Sequence, residues 1–574
     1  MAATSSIAPP LVKGSNAGAS APHTSDTFRP LLKKLTLSCP LPPASPSEVA
    51  SSSSLSSAHS PSQTHPPGPP LTPADLLALF EHMADANFTS SHANHAQIGA
   101  ALTALRMSGI DREPAALAIA SKVFLQCCLR VPQRAVQGDD QSDGRGGGGG
   151  GDGKEYTGLL DIVGTGGDGQ DTFNVSTTAA IVASGVPGIR VCKHGAKASS
   201  STSGSVDLLL SLGIPLSRLP PTSLPDILPA SSFAFLYAQL FHPSLAPLAP
   251  IRRALSFPTL FNVLGPLINP ALPRRCVLGV HSYGLGRTFA EALQRRGDVQ
   301  RAWVVCGREG LDEISCAGET DVWELSERGE ITQRVVTPED FGLQRHPLSH
   351  VGSFSSDENA AIVWRLLSST TDEDLPLEPL ASPSRLRTHE LPTLLSTSSS
   401  LSSSFSSIAS IPTTPTAPST PTGTSSLPPI PANTHLRAIA DYTLMQAAAL
   451  IYVAGRAPTL PACVHLARTA MQDGSAKAAL ERFEQCANRE IARSDEQARR
   501  RAEEAQANAT LNASAAEGDA KEREEKPEKM QGSDTRKSRQ RLRQREKTDD
   551  RNQLQDGFAY LPEPSRDANV GTDD

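Results

Sequence analysis

DIVGTGGDGQDTFNVSTTAAIVASGVPGIRVCKHGAKASSSTSGSVD, residues 161–207, is the one dense block of site chemistry in the chain. The apolar run Leu159 to Val163 predicts a buried strand, Gly164 to Gly169 a loop, Ser176 to Ser184 a helix and Ile189 to Cys192 the next strand. That is a βαβ unit with a glycine-rich loop at its first turn. Glycine lets backbone N–H groups approach a phosphate with no side chain in the way, and Asn174, Ser176 and Thr177 add amide and hydroxyl donors near a positive helix end. A phosphate-bearing ligand is the natural occupant.

What the loop lacks narrows the ligand. Gly164, Gly166 and Gly169 fit GxGxxG, but turn residues follow where a dinucleotide-binding fold opens its helix, and about 20 residues on stand Ile189 and Arg190 in place of an acid. A P-loop needs Gly-Lys-Ser/Thr after four spacer residues, and the loop has none. A glycine-rich turn without a ligand accounts for GTGGDG alone. It does not account for NVST and then KHG one βαβ unit later.

Composition sets the limits. The chain has 574 residues, but 47 Pro, 42 Gly and long Ser/Thr runs mean that much of it cannot pack, so one catalytic unit of two domains is expected. A formal charge of −7 gives no overall basic field for nucleic acid. The nine cysteines include adjacent Cys127 and Cys128 and no CxxC pair, which suggests neither a disulfide framework nor a zinc site and fits a reducing, cytoplasmic compartment. No apolar run approaches the roughly 18 to 20 residues of a membrane span. The first 25 residues, rich in Ser and Ala and poor in acids, faintly resemble an organelle transit peptide, the minor alternative for localisation.

The expected fold is α/β: a small, mostly helical domain, then a large α/β domain with a central mixed, largely parallel sheet flanked by helices, with long disordered insertions and a disordered C-terminal tail. Residues 1–26 read as disordered, and 27–132 as the helical domain with a Ser/Pro-rich insertion at 38–70. FRPLLKKLTL (Phe28 to Leu37) makes an amphipathic helix, Thr72-Pro73 with Asp75 starts another, helices run to about Leu129, and ALRMSG closes one on Gly109. Residues 133–157 form a Gly-rich linker placed on the surface, and 158–488 the large domain, with segment 231–262 packing against the helical domain and a Ser/Thr/Pro-rich insertion at 368–433. The charged residues 489–574 read as a solvated tail.

GTGGDG, TFNVST, KHG with SGSVD, FHPSLAPLAPIR, FNVLGPLINPA and GLDEIS, in that order, resemble the active-site core of the anthranilate phosphoribosyltransferase family. The resemblance covers most of residues 71–367 and 435–488. It implies transfer of phosphoribosyl from 5-phosphoribosyl 1-pyrophosphate to anthranilate in tryptophan synthesis, with Mg²⁺, by a homodimer joined through the helical domain. By the same resemblance Gly164, Gly166, Gly167, Asp168, Thr172, Asn174, Val175, Ser176, Thr177, Lys193 and Ser205 match the phosphoribosyl pyrophosphate positions. Gly164, His194, Ala196, Arg252 and Met107 match those for anthranilate, and Ser176, Asp312 and Glu313 those for the metal.

Elementary chemistry agrees with these roles. Adjacent acids such as Asp312 and Glu313 alone read as a solvated turn, but Mg²⁺ prefers one or two carboxylates plus substrate oxygens, so their place in GLDEIS suits the metal. Lys193, following the predicted strand, offers pyrophosphate a point charge. Asp168 repels phosphate and is expected to face ribose hydroxyls, a backbone N–H or a metal. Arg252, preferred over Arg253, has the fork to grip a carboxylate. His194 is not assigned as a general base, because positioning a nucleophilic aromatic amine supplies much of the rate.

The chain departs from the family pattern at two places: Ala196 stands where Asn usually follows KHG, and Pro258-Thr259 where Arg-Thr usually precedes FN-LGP. The first removes a polar contact to anthranilate. Two other readings share the architecture: a pyrimidine-nucleoside-phosphorylase-like enzyme, which would not need the Asp312–Glu313 pair, and a non-catalytic phosphoribosyl-binding protein.

Overall fold

Short runs rich in β-branched and apolar residues form the strands β1 (Leu159–Gly164), β2 (Arg190–Gly195), β3 (Phe233–Tyr237), β4 (Arg275–Gly279), β5 (Arg301–Gly307), β6 (Thr320–Leu325) and β7 (Ile331–Val336). They make one sheet in the order β3-β2-β1-β4-β5-β6-β7, parallel from β3 to β5 and antiparallel across β6 and β7. In this computed structural model the described residues are 23–39, 71–132, 156–198, 201–376, 378–379 and 430–524.

The helices are α1 (Ser25–Leu37), α2 (Pro73–Ala84), α3 (His92–Ser108), α4 (Pro114–Gln126), α5 (Val175–Ser184), α6 (Ser205–Ser211), α7 (Leu248–Leu255), α8 (Leu260–Leu264), α9 (Tyr283–Arg296), α10 (Ser356–Leu367), α11 (Leu436–Ala454), α12 (Leu460–Gln472) and α13 (Ser475–Glu524), among shorter turns. The Thr72 hydroxyl accepts from Asp75 N–H at 3.2 Å while Asp75 accepts from Thr72 N–H at 3.0 Å, a reciprocal cap of the kind worth about 1 kcal/mol. Gly109 ends α3 with φ of 75°, which only glycine adopts without strain.

Period-two alternation sorts the sheet between two cores. In β4 and β5, Val277, Trp303 and Val305 face one cluster with α5, α11 and α12, while Cys276, Leu278, Ala302, Val304 and Cys306 face the other, with α2, α3, α4 and α9. The N-terminal helices therefore share a core with one face of the sheet. Leu248, Ile251, Leu260 and Phe261 belong to that helical core, whereas Phe233 to Tyr237 form β3 in the opposite one, so only the later part of segment 231–262 packs with the helices.

Several expected boundaries shift. α1 begins at Ser25, capped by Thr24, so 23–26 are ordered, and Ser38 and Cys39 close that helix. Tyr156 belongs to the sheet domain: its hydroxyl donates to Leu159 O and its ring lies under the Arg275 guanidinium at 4.2 Å. The 368–433 tract packs at both margins, Ile430 lying against the sheet core at the far one. Leu375 is buried, and Asp372 accepts from Arg437 at 3.0 Å, Gln472 at 2.9 Å and Arg468. The break expected at Asn488 falls inside α13, whose Glu490 and Ile491 are buried within the first of two compact units, which ends at Ser494. In the second unit, residues 495–524 are helical, with Arg499 and Arg500 paired to Glu496. The remaining parts of the expected disordered regions, 1–22, 40–70, 133–155, 380–429 and 525–574, lie outside the described residues.

His242 follows β3 and is 2% exposed, its ring edge-on to His194 at 5.1 Å. Burial pushes it down to about 4. Below the ordinary value of about 6.5 the unfolded chain takes up this proton before the folded one, so stability is full above that pH and falls as the pH drops toward 4. Between pH 6.5 and 5 the loss should be roughly 2 kcal/mol from this group. Urea denaturation of His242→Gln at pH 7 and pH 5 should show a correspondingly smaller acid destabilisation than the native chain; equal losses would mean His242 does not carry it.

Candidate active site at the carboxyl ends of the strands

β1 has β2 on one side and β4 on the other, so the strand order reverses here and the loops at the carboxyl ends part to leave a crevice. A cleft of about 330 Å³ occupies it, lined by the end of β1 and the loop after it (Gly164 to Ser176), the end of β2 and the loop after it (Lys193 to Ser205) and the turn after β5 (Asp312 and Glu313). Three loop glycines, Gly166, Gly167 and Gly169, have φ of 69°, 79° and 72°, conformations that turn successive backbone groups toward the cleft at no steric cost.

The acids are held by close packing. A Cβ on Gly164 would overlap the Asp312 carboxylate and one on Gly279 the Asp312 carbonyl, so these two strand ends admit the turn only because both are glycine. Gly166 N–H donates to Asp312 Oδ2 at 2.6 Å. Burial, then the neighbouring Asp168, pushes Asp312 up to about 7. Glu313 rises well above the usual carboxylate range for the same reason, with Asp312 as its neighbour, although the Ser176 hydroxyl donates to it. Two raised acids and a hydroxyl form a donor set short of positive charge. Among the described residues no three His, Cys, Asp or Glu side chains make a self-sufficient metal site, so the set suits a cation that arrives with oxygen ligands of its own, as Mg²⁺ does.

Lys193 lies inside β2, not after it as the sequence suggested. It is 1% exposed and donates to Ile162 O at 2.5 Å and Ser176 Oγ at 3.2 Å. The β1–β2 ladder stops at Leu160–Val191, and beyond it the ammonium spans the gap between the strands. Burial lowers Lys193, and Asp161, Glu313 and Asp312 offset part of that. Asn269 completes the gap, donating to Asp161 Oδ2 at 2.8 Å and Cys192 O at 2.9 Å. Asp161 and Asn269 were not among the expected site residues. An acid inside an apolar strand, and the Asn of FNVLGPLINPA, were the available signals.

The cleft gathers Gly164, Gly166, Gly167, Asp168, Thr172, Asn174, Val175, Ser176, Lys193, His194, Ala196, Ser205, Asp312 and Glu313. It also brings in Lys197 and Ser203, which sequence reasoning missed. Asp168 accepts from Gln170 N–H at 3.3 Å, a backbone donor as expected. Thr177 lies outside the cleft lining, with its hydroxyl buried and without a hydrogen-bond partner. The Ala196 carbonyl accepts from Val206 N–H at 3.3 Å. Burial, then His242, depresses His194 well below its ordinary value, and its ring donates to the Gly265 carbonyl; a neutral imidazole so weakened is a poor base.

Arg252 and Met107 lie outside this cleft. Arg252, in α7, sits over the Phe261 ring at 5.3 Å, and burial lowers it. Phe261 meets Phe124 edge-on at 5.2 Å, tying the arginine to the helical layer. Met107, in α3, is 68% exposed.

Residues 156–378 match the model of a glycosyl transferase family, α/β domain. The chain is 49% identical over 219 residues to the anthranilate phosphoribosyltransferase of Schizosaccharomyces pombe, 38% of this chain and 61% of that protein, under two thirds of its length. It is 38% identical over 283 residues to that of Saccharomyces cerevisiae, covering 49% of this chain and 72% of the relative. The solved Saccharomyces cerevisiae enzyme in complex with PRPP and Mg superposes with a TM-score of 0.57 at 27% identity, over 81% of this chain and 99% of that one. The Thermus thermophilus enzyme superposes with a TM-score of 0.52 at 29% identity, over 73% and 96%. With the glycine-lined phosphate loop, the acid pair and the buried lysine in one crevice, these likenesses make the chain a member of the anthranilate phosphoribosyltransferase family.

Proposed function

We propose that this chain transfers the phosphoribosyl group of 5-phosphoribosyl 1-pyrophosphate to the amine of anthranilate, releasing pyrophosphate. The observation that carries this reading is the convergence of the glycine loop, Lys193 and the Asp312–Glu313 pair on one cleft. The amine nitrogen bonds to ribose C1 as the bond from C1 to pyrophosphate breaks, the pyrophosphate leaving with the electron pair and the amine losing a proton. Positive charge grows on the sugar and negative charge on the leaving group, so the site must serve both.

The backbone of Gly166 to Gly169, the N-terminal end of α5 and Ser205 take up phosphate oxygens, and the Lys193 ammonium faces the pyrophosphate. Ser176, Asp312 and Glu313 hold Mg²⁺ together with substrate oxygens. Bound there, Mg²⁺ neutralises the departing pyrophosphate. Anthranilate enters near Gly164, His194 and Ala196 with Arg252 gripping its carboxylate, which requires the guanidinium to leave its place over the Phe261 ring. We place the homodimer contact on the helical layer, where an open groove of about 480 Å³ is lined by the small residues Ala96, Gly99, Ala100 and Ala254 beside Ile251 and Leu255. Nine free thiols, seven of them buried, favour a reducing cytoplasmic setting.

Loss of anthranilate fluorescence with phosphoribosyl pyrophosphate and Mg²⁺ should follow turnover, and the Asp312→Ala, Glu313→Ala double variant should lower kcat/KM by at least about 100-fold. No turnover in the folded native chain would overturn the activity. Arg252→Ala should raise KM for anthranilate about tenfold and leave that for phosphoribosyl pyrophosphate unchanged; an unaltered anthranilate KM would remove Arg252 from the site. Sedimentation equilibrium should give twice the chain mass, reverting to one when Gly99 and Ala100 are both changed to Glu; a monomeric native chain would end the dimer proposal.

A further inference from the structure

Behind the cleft one buried side chain is bonded both to a lining residue and to the segment that backs the phosphate loop. Asn359, in α10, is 0% exposed and does not line the cleft. Its Nδ2 donates to Asn174 Oδ1 at 3.0 Å, Ser353 Oγ at 3.1 Å and Phe354 O at 3.1 Å, while its Oδ1 accepts from Phe354 N–H at 3.1 Å. Two amide hydrogens serve three acceptors, so none is spare.

Asn174 is set from both ends. Its oxygen accepts from Asn359, and its nitrogen donates to Ser203 O at 2.8 Å, which leaves one N–H for a ligand in the cleft that Asn174 lines. If the amide turned over, its oxygen would face the Ser203 carbonyl and its nitrogen the Asn359 nitrogen. Acceptor would then meet acceptor and donor meet donor, each an unmade bond costing about 1–3 kcal/mol. The same asparagine steadies the strip 351–354, which runs along the phosphate loop: Phe173 N–H donates to Val351 O at 2.8 Å, Ser353 N–H to Asp171 O at 2.9 Å, and Thr172 bridges to Gly352. Asp171 has φ of 45°, unfavourable for a residue with a side chain, so the turn needs such support.

We propose that Asn359 is a positioning residue for the phosphoribosyl pyrophosphate site, fixing the orientation of the Asn174 amide without touching the ligand. This rests on the reading of the cleft as the phosphoribosyl pyrophosphate site. Loss of Asn359 weakens the ligand by freeing Asn174, so it costs little once Asn174 is gone.

A double-mutant cycle on the full chain tests this, with the affinity for Mg²⁺–phosphoribosyl pyrophosphate read by isothermal titration calorimetry and anthranilate KM read alongside. Asn359→Ala and Asn174→Ala should each weaken binding about tenfold, and the double variant should bind no more than about threefold more weakly than Asn174→Ala. Anthranilate KM should stay within about twofold. Asn359→Ser stays polar but is too short to reach Asn174 Oδ1, so it should weaken binding about as much, and it serves if the alanine variant does not fold. Native affinity in Asn359→Ala with only a lowered Tm would overturn the inference, as would losses that multiply in the double variant. A native chain that fails to bind phosphoribosyl pyrophosphate would remove the functional reading as well, whereas native binding with multiplying losses would remove this inference alone.

Discussion

The turn carrying Asp312 and Glu313 can reach the ligand loop only by lying against the ends of β1 and β4, and Gly164 and Gly279 leave the space for it. A methyl group at either position would push the turn away and separate the acids from Ser176 and the glycine loop. The closeness has an electrostatic consequence. Burial, then the neighbouring Asp168, drives Asp312 up to about 7 although Gly166 N–H donates to it, a crowding of acids that favours a cation. Backbone clearance and the gathering of the acids are thus one feature.

Below that turn the parting of β1 and β2 sets the position of positive charge. Where the ladder ends, Lys193 and Asn269 make the bonds that neighbouring strands would otherwise share. A buried ammonium is costly unless compensated, and Asp161 on the adjoining strand, itself raised to about 6 by burial, supplies the compensation. The crevice and the buried ammonium that lines it arise from the same break in the sheet.

The helical layer is bound to this arrangement through a common core. α9 packs on β5 and β6 and also on α4, so the N-terminal helices rest on one face of the same sheet whose strand ends form the site. Arg252 and Phe261 lie where those helices meet the segment after β3, outside the cleft lining. In the cleft Ala196 adds no polar side chain, and its carbonyl accepts from Val206 N–H. Pro258 immediately precedes Thr259, which caps α8 in partnership with Asn262, so the change from the family pattern falls at a helix start.

By itself the sequence determined the βαβ unit, the phosphate loop and the acid pair, because glycine spacing, strand-like apolar runs and ordered motifs are local properties written in consecutive residues. The starts at Thr72 and the close at Gly109 were legible for the same reason: caps depend on three or four neighbours. Tertiary structure alone decided the rest. Lys193 was placed after its strand because a lysine does not read as a buried residue; only the end of the β1–β2 ladder gives its ammonium partners inside. Asn359 lies 185 residues from Asn174, and the helix that extends past Asn488 is still held there by burial of Glu490 and Ile491. Such contacts join distant segments, and no local pattern records which pairs will meet.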